Sequence, residues 1–205
     1  MKTRALVIFY PDCIEFEAIL AAQVLHEEGL TIDIATPDGS DYLGPSGIAL
    51  RATHRYADVH PEEYRVVIVP GGDTKSVLEN ETLLGILRTA HSKGATFGAI
   101  CAGPRLLGRA GLLKGRHFTH GYGPDSPLPD WKEGTYLDQP VVVDGNLVTA
   151  KPQAYIEFAI ELLYAAGLRD TWTVNSLLKT GKLPPDLASE IEAVKAHYRS
   201  IWGGA

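Results

Sequence analysis

Short apolar runs recur along the first two thirds of the chain, and each has the length of a β-strand. Residues 4–9, 66–69 and 95–100 are almost continuously apolar, which is typical of parallel strands that helices cover on both faces. A further run at residues 31–35 alternates apolar and polar positions and predicts another strand. The pattern therefore predicts a mostly parallel sheet at the centre of the fold.

Helical periodicity occupies the segments between these strands. Apolar residues repeat at helical spacing over residues 15–28, and Gly29 is placed to end that helix. Two more helices are predicted over residues 75–92 and 152–166. Strands that alternate with helices are joined by right-handed crossovers, so the sequence predicts one doubly wound α/β domain.

Two regions carry weaker patterns. Residues 37–58 are rich in turn formers and contain only short apolar fragments, which indicates a hairpin or an excursion at the sheet edge. Two apolar runs, residues 141–143 and 146–149, flank Asp144 and Gly145. That spacing predicts a hairpin closed by this two-residue turn.

The end of the chain has a different character from the α/β domain. Beyond Leu168, apolar residues form one helical stripe after a pair of prolines. We therefore predict an α/β domain over residues 1–168 and a C-terminal helical extension over residues 169–205. The extension is expected to pack on the domain or on a second subunit.

Composition and charge exclude several classes of protein. The chain has 205 residues, a formal net charge of -6 and scattered lysines and arginines, so it lacks the basic stripe that binds nucleic acid. Its apolar runs are far shorter than the roughly 20 residues that span a bilayer, and no signal-peptide pattern opens the chain. Cys13 and Cys101 are its two cysteines, too few for a disulfide framework. We expect a cytoplasmic protein with no nucleic-acid or membrane partner.

Cys101 is the strongest candidate for a reactive group. It follows a predicted buried strand, and ligands bind at the carboxyl ends of parallel strands. Its neighbours are the small residues Gly98, Ala99, Ala102 and Gly103, as the crowded turn of a nucleophile elbow requires. The start of the following helix is expected to lower the thiol pKa. The alternative is a small apolar cysteine buried between strand and helix.

A Gly-Gly pair follows the neighbouring strand. Gly71 and Gly72 come directly after Pro70, and their N–H groups, together with that of Ala102, are candidates for an oxyanion hole opposite Cys101. Taken alone, the pair fits an ordinary turn at the end of a strand. Its interest comes from its position at the same edge of the predicted sheet as Cys101.

Five motifs together resemble the ThiJ/PfpI superfamily, most closely the branch that contains the Parkinsonism-associated deglycase and chaperone protein. They cover residues 4–167 in the expected order, and the block around Cys101 is the most specific of them. The motifs are residues 5–8, 15–17, 69–72, 99–104 and 119–120. The resemblance implies a flavodoxin-like sandwich that is usually a homodimer, and it does not extend to the residues beyond Leu168.

The resemblance also implies roles for three residues. Cys101 matches the nucleophile, Glu17 the carboxylic acid that lies against its sulfur, and His120 a histidine near the cysteine. A glutamate in a first helical turn is more often a surface residue that stabilises the helix dipole, and this alternative is stronger for Glu15. His120 also fits a hydrogen-bonded structural histidine.

Three further residues are weaker candidates. His117 is expected on the opposite face of a strand from His120. Arg51 matches a position that approaches the cysteine pocket across the dimer contact. Cys13 is expected in a loop at the rim of the crevice, where it is either incidental or a resolving thiol.

The function that the resemblance implies is cofactor-independent hydrolase or lyase chemistry on small reactive carbonyls, as in the conversion of methylglyoxal to lactate or in deglycation. Cys101 would add to the carbonyl, and Glu17 or His120 would move the proton. One alternative is a redox sensor or chaperone-like protein that uses an oxidisable Cys101. Another is an amidase or peptidase, which Ala102 disfavours because the protease-like branch has histidine there.

Overall fold

A computed structural model describes residues 2–168 of the chain. The predicted extension over residues 169–205 lies outside the described residues, and the division into these two parts stays a prediction. The described strands are, in chain order, β1 (Arg4–Ile8), β2 (Thr31–Thr36), β3 (Tyr42–Leu43), β4 (Ala49–Leu50), β5 (His54–Arg55), β6 (Tyr64–Val69), β7 (Thr96–Ile100), β8 (His117–Phe118), β9 (Thr135–Tyr136), β10 (Val141–Asp144) and β11 (Leu147–Ala150). The α-helices are α1 (Phe16–Glu27), α2 (Glu81–Ser92), α3 (Pro104–Arg109) and α4 (Tyr155–Ala165).

Seven of these strands form one mixed sheet in the order β10-β11-β7-β6-β1-β2-β5. All neighbouring pairs are parallel except β10 and β11, which form an antiparallel hairpin at one edge. Every residue of β7 is buried, as are the last four of β6, because α1 and α4 pack against each other and on the sheet while α2 and α3 also contact it. The predicted doubly wound, flavodoxin-like fold is confirmed.

The predicted start of the second helix was wrong. Residues Thr74–Ser76 form a separate 3-10 turn, and α2 begins only at Glu81. Asn80 caps it, because its side-chain oxygen accepts the N–H of Leu83 at 3.0 Å. A helix therefore starts where a side chain satisfies its free N–H groups, six residues later than apolar spacing alone indicated.

The hairpin between β10 and β11 has a different turn from the predicted one. Asp144 still pairs with Leu147 in the ladder, so the two loop residues are Gly145 and Asn146. Gly145 takes the left-handed conformation, with φ +57°, as such a turn requires. Asp144 instead uses its carboxylate to accept the N–H of His117 at 2.7 Å.

The region 37–58 contains both features that its turn residues indicated. β3 and β4 form a small antiparallel hairpin outside the main sheet, and β5 adds a parallel edge strand beside β2. α1 ends as predicted before Gly29, which has φ +87°. None of the helices within residues 2–168 has the length and apolar character needed to cross a bilayer.

Candidate active site

Cys101 lies on a strained turn between β7 and α3. Its φ is +61°, a left-handed conformation that is uncommon for a residue with a side chain. Two hydrogen bonds hold the turn: the Cys101 N–H donates to the Ala150 carbonyl at 2.9 Å, and its carbonyl accepts the N–H of Gly121 at 2.7 Å. This geometry is that of a nucleophile elbow.

The glycines beside Cys101 are there because the backbones approach closely. A Cβ on Gly71 would lie 2.5 Å from the Cys101 Cβ and 2.7 Å from its Sγ. A Cβ on Gly103 would lie 2.2 Å from the Val69 carbonyl oxygen. These distances are all too short for any side chain, so the elbow fits against the end of β6 only with glycine at these two positions.

Glu17 lies in the first turn of α1 with its side chain buried beneath the elbow. The residue is 1% exposed, and its Oε2 accepts the N–H of Gly71 at 2.8 Å. Its Oε1 has no hydrogen-bond partner within residues 2–168. The carboxyl interacts with the Cys101 thiol, and the surface interpretation of Glu17 is therefore wrong.

Burial raises the pKa of the Glu17 carboxyl, and the contacts with Gly71 and Cys101 only partly oppose that effect. Burial and the neighbouring carboxylate likewise raise the pKa of the Cys101 thiol, although the N–H groups of Gly72 and Ala102 act in the opposite direction. The expected lowering of the thiol pKa was wrong. α3 is a short helix that begins at Pro104, and desolvation next to a carboxyl outweighs its effect.

The Glu17–Cys101 pair therefore resists carrying two negative charges. In such a coupled pair the first proton is lost from the pair as a unit. Once one proton has left, the remaining one can bridge the carboxyl and the sulfur. The arrangement can supply a thiolate only together with a protonated carboxyl.

The three candidate oxyanion donors have different partners. The Gly71 N–H is bound by Glu17, whereas those of Gly72 and Ala102 are directed at the sulfur. Gly72 has φ +106°, and a Cβ there would lie 2.2 Å from the Asp12 carbonyl oxygen. Gly72 and Ala102 therefore remain the candidates to meet an oxyanion formed at Cys101.

His120 is buried in an aromatic cluster rather than hydrogen-bonded to the thiol. It is 2% exposed, and its ring centroid lies 4.3 Å from that of Trp131 and 4.6 Å from that of Tyr136. Its Nδ1 accepts the N–H of Tyr122 at 3.2 Å, which places the proton of the neutral ring on Nε2. Burial lowers the pKa of His120 to about 4, so the ring is neutral at pH 7.

Within residues 2–168, no hydrogen bond joins His120 to Cys101. The two are connected through the backbone instead, because Gly121 follows His120 and bonds to the Cys101 carbonyl. The aromatic partners Trp131 and Tyr136 were missed in the sequence. Their only signal was the clustering of aromatic residues in the Gly- and Pro-rich segment after His120.

The weaker candidates differ in how deeply they are buried. Glu15 is 1% exposed rather than on the surface. Cys13 is fully buried rather than exposed at a rim, with its backbone paired to Gly72 beside Cys101. Burial raises the pKa of its thiol to about 11. His117 is exposed on β8, and Arg51 is exposed as well.

A cysteine on a strained elbow, above a buried carboxyl at the carboxyl end of a parallel sheet, defines a nucleophile-elbow α/β protein. The chain belongs to the DJ-1/PfpI family, whose sequence profile matches residues 3–165. It is 33% identical to a deglycase of Pyrococcus horikoshii over 68% of this chain and 84% of that protein. It is 31% identical to a glutathione-independent glyoxalase of Caenorhabditis elegans over 87% and 95% of the two chains. The crystal structure of DJ-1beta of Drosophila melanogaster superposes with a TM-score of 0.71 at 30% identity, covering 82% of this chain and 92% of that one.

Proposed function

We propose that this protein is a cysteine-dependent enzyme that converts small reactive carbonyls, with methylglyoxal to lactate as the reference reaction. The observation that carries the proposal is the Glu17 carboxyl buried against the Cys101 thiol, with one carboxyl oxygen lacking a partner in the described residues. Relatives named deglycase and glyoxalase support the same class of chemistry.

The reaction begins when Cys101 adds to the aldehyde carbon of methylglyoxal. The sulfur–carbon bond forms, the carbonyl π electrons move to oxygen, and the proton of the Glu17–Cys101 pair neutralises that oxygen. Until it does so, the N–H groups of Gly72 and Ala102 stabilise the oxyanion. The product of this step is a hemithioacetal on Cys101.

Glu17 then acts as a base and an acid in turn. Its carboxylate removes the proton from the former aldehyde carbon and, as the acid so formed, gives it to the former ketone oxygen, which produces an enediol. The carboxylate then takes the hydroxyl proton from the carbon bonded to sulfur as the thioester carbonyl forms, and a proton is delivered to the neighbouring carbon to give a lactoyl thioester. Water attacks the thioester, and lactate and the free thiol are released. The net reaction consumes one methylglyoxal and one water, with no external oxidant or reductant. His120, neutral and protonated on Nε2, is the second candidate proton carrier.

The test measures lactate formation and the iodoacetamide alkylation rate on the same protein samples. We expect Cys101→Ser to lose at least about a thousandfold in turnover, because removal of a nucleophile has effects of this size. Glu17→Gln should lose most of its turnover while Cys101 remains reactive toward iodoacetamide. Cys13→Ala is the matched control and should keep its activity.

Two results would contradict the proposal. Lactate formation that survives Cys101→Ser would place the chemistry elsewhere. If the wild-type protein shows no turnover and peroxide oxidises Cys101 selectively, the alternative role as a redox sensor would be favoured. A panel of peptides and amides, assayed with both the wild-type protein and Cys101→Ser, tests the amidase alternative.

We further propose that the protein is a homodimer that buries an apolar face of α1 and the β3–β4 hairpin. Phe16 and Ile19 on α1 are 50% and 41% exposed, and Leu43 and Ile48 of the hairpin segment are 68% and 57% exposed. Glu15 bonds to Ser46 between these elements, so the four side chains belong to one region. Such contiguous exposed apolar groups are typical of contact sites.

Light scattering tests the dimer. Ile19→Asp should shift the mass toward that of one chain, because a charge would be buried at the contact. Val143→Asp is the control, since Val143 is 46% exposed on β10 at the sheet edge. A wild-type mass of one chain would contradict the proposal.

A further inference from the structure

A buried tyrosine packs against the Gly-Gly turn of the candidate active site, and the proposed mechanism does not use it. Tyr10 lies just beyond the end of β1, at the carboxyl edge of the sheet, and it is 0% exposed. Its hydroxyl lies 2.7 Å from the Pro70 carbonyl oxygen and 3.0 Å from the Gly71 carbonyl oxygen. One side chain therefore contacts two successive carbonyl groups of the turn.

These carbonyls belong to the two peptide groups whose N–H groups face the reacting pair. The Pro70 carbonyl shares its peptide group with the Gly71 N–H, which donates to Glu17 Oε2 at 2.8 Å. The Gly71 carbonyl shares its peptide group with the Gly72 N–H, which is directed at the Cys101 sulfur. A trans peptide group is planar, with its C=O and N–H on opposite sides. A donor held at each oxygen therefore fixes the direction of each N–H.

The turn needs such a restraint because two of its residues are glycines. A glycine has no Cβ to limit the rotation of the neighbouring peptide groups, and Gly72 has φ +106°. The Gly71 carbonyl has a second donor, the N–H of Ile14 at 3.0 Å. The tyrosine hydroxyl is the donor that the Pro70 and Gly71 carbonyls have in common. Rotation of either peptide group would direct a carbonyl oxygen, instead of an N–H, at the reacting pair.

The tyrosine hydroxyl keeps its proton at neutral pH. Burial raises the pKa of the Tyr10 phenol well above its ordinary value, and the nearby Cys13, Tyr56, Glu17 and Cys101 act in the same direction. All four neighbours become negative when they ionise, and a negative neighbour disfavours a phenolate. A hydroxyl has a single hydrogen to donate, so the two carbonyl oxygens share it.

We propose that Tyr10 is a positioning residue that orients the Gly71 and Gly72 N–H groups. Held in this direction, they stabilise negative charge on the buried carboxyl, on the sulfur and on the oxyanion of the reaction. A hydrogen bond accepted by a carbonyl also strengthens the bond that the N–H of the same peptide group donates, by about 10–30%. The inference rests on the proposed function as far as the oxyanion is concerned. Its effect on the Cys101 thiolate is independent of any substrate.

Tyr10→Phe is the first test, because it removes the hydroxyl and keeps the buried ring. We expect kcat and kcat/KM for lactate formation to fall by the same factor, about tenfold, since the N–H groups act on charge that develops in the transition state. Complete removal of one oxyanion donor costs about 100-fold to 1000-fold, and this variant only loosens two donors. A rise in KM at unchanged kcat, or kinetics equal to those of the wild type, would contradict the positioning role.

Tyr56→Phe is the matched control. Tyr56 is also buried, at 1% exposure, and its hydroxyl donates to the Phe9 carbonyl at 2.6 Å. That carbonyl shares its peptide group with the Tyr10 N–H and not with the N–H of a glycine in the turn. Both variants lose one buried hydroxyl, so the midpoint of thermal unfolding should fall in both. Turnover should fall only in Tyr10→Phe, and equal losses of turnover would overturn the inference.

The pH dependence of Cys101 alkylation tests the inference without a substrate. The Gly72 N–H lowers the pKa of the Cys101 thiol. The Gly71 N–H likewise lowers the pKa of the Glu17 carboxyl. Weaker hydrogen bonds from both should raise the apparent pKa of the alkylation reaction in Tyr10→Phe by about 0.5 unit, and thus slow alkylation about threefold at a fixed pH below it. Tyr56→Phe should leave this pKa unchanged.

The amide protons of the two glycines separate this inference from the proposed function. Weaker hydrogen bonds move amide proton signals upfield, so the Gly71 and Gly72 signals in the proton–nitrogen NMR spectrum should move upfield in Tyr10→Phe and stay in place in Tyr56→Phe. If these signals and the alkylation pKa change as expected but the wild-type protein forms no lactate, only the proposed function is contradicted. If the wild-type protein forms lactate and neither quantity changes in Tyr10→Phe, the positioning role of Tyr10 is overturned and the proposed function stands.

Discussion

Glu15 and Glu17 are two positions apart, equally buried at 1% exposure, and yet their pKa values move in opposite directions. One oxygen of each carboxylate lacks a hydrogen-bond partner within residues 2–168, but the Glu17 carboxyl is enclosed much more deeply by the protein than that of Glu15. The depth of burial and the donors to the other oxygen together decide the difference in pKa. For Glu15, burial raises the pKa, but the hydroxyl and N–H of Ser46 both donate to Oε1 and lower it overall. For Glu17, burial raises the pKa by more than the Gly71 N–H and the contact with Cys101 lower it, so the pKa is raised overall.

A glycine also packs closely at the site of each glutamate. A Cβ on Gly44 would lie 2.0 Å from the Glu15 Cδ, just as one on Gly71 would meet Cys101. A loop therefore packs closely against both sites. The Glu15 carboxyl is stabilised by strong hydrogen bonds, whereas the Glu17 carboxyl is able to exchange a proton. Glu15 fixes the β3–β4 hairpin to α1, whereas Glu17 remains available for chemistry.

The largest expected effect is on turnover, and it distinguishes Gly71→Ala from Gly44→Ala. Gly71→Ala places a methyl group within 2.7 Å of the Cys101 Sγ, so the elbow must shift. Displacements of about 1 Å at a reacting atom cost on the order of a hundredfold in rate. Lactate formation should fall by at least that factor. Gly44→Ala should instead destabilise the fold by about 1–3 kcal/mol through overpacking, with little change in Cys101 alkylation. Equal losses of alkylation rate in the two variants would remove the distinction.

His120 extends the comparison to a third buried titratable group. Its pKa is lowered to about 4, chiefly by burial. A lowered histidine pKa gives stability that is fully present above the unfolded pKa of about 6.5 and is lost as the pH falls toward 4. The loss should amount to about 3 kcal/mol, at 1.36 kcal/mol for each pH unit.

Chemical denaturation at several pH values measures this loss. His120→Phe keeps an aromatic ring in the stack but cannot titrate, so it should remove most of the acid-dependent decrease between pH 6.5 and 4. His117→Phe is the control and should retain it, because His117 is exposed on β8. If both variants lose stability as the wild type does, His120 is not the group responsible.

The parts of the fold that were predicted from the sequence depend on patterns local in the chain. Continuous apolar runs identified β1, β6 and β7, because strands covered on both faces need no polar side. The small residues around Cys101 identified the elbow, since only such residues fit a left-handed turn against a neighbouring strand. Gly145 was recognised as a turn residue, but the register across the hairpin was not.

The features that could not be predicted from the sequence depend on contacts between residues far apart in the chain. The donor that lowers the pKa of Glu15 is Ser46, 31 positions away, and no pattern at either position indicates the contact. The direction of the Cys101 pKa depends on desolvation by the packed domain, which a helix-start argument omits. Trp131 reaches His120 only because Arg105 and Asp130 dock its loop on α3. The positions of the motif residues were therefore predictable, and their electrostatics was not.

Glu15→Gln tests the structural half of the comparison. The glutamine retains an acceptor for Ser46 but loses the charge that strengthens both hydrogen bonds, so the free energy of unfolding at pH 7 should fall by about 1–2 kcal/mol. A lowered carboxyl pKa gives stability that is present above the unfolded pKa of about 4.3 and lost as the pH falls through the folded value. The difference between wild type and variant should therefore disappear in acid. A variant as stable as the wild type at pH 7 would show that the Ser46 bonds contribute nothing net.

Glu17→Gln should have the smallest effect on stability, and one of opposite sign. A raised carboxyl pKa means that the native state is favoured by protonation, so its stability is highest below the unfolded pKa of about 4.3 and is lost as the pH rises through the folded value. Glutamine resembles the protonated acid: its oxygen can still accept the Gly71 N–H, and its amide can donate toward the sulfur. At pH 7 the variant should be more stable by roughly 0.5–1 kcal/mol, the lower part of the gain usual when a strained functional group is replaced, while it loses turnover. Urea unfolding at pH 7 and pH 4 measures both parts, and the gain should vanish at the lower pH. A loss of stability at pH 7 as large as that of Glu15→Gln would mean that both acids are structural, and Glu17 would then have no poised proton to give to Cys101.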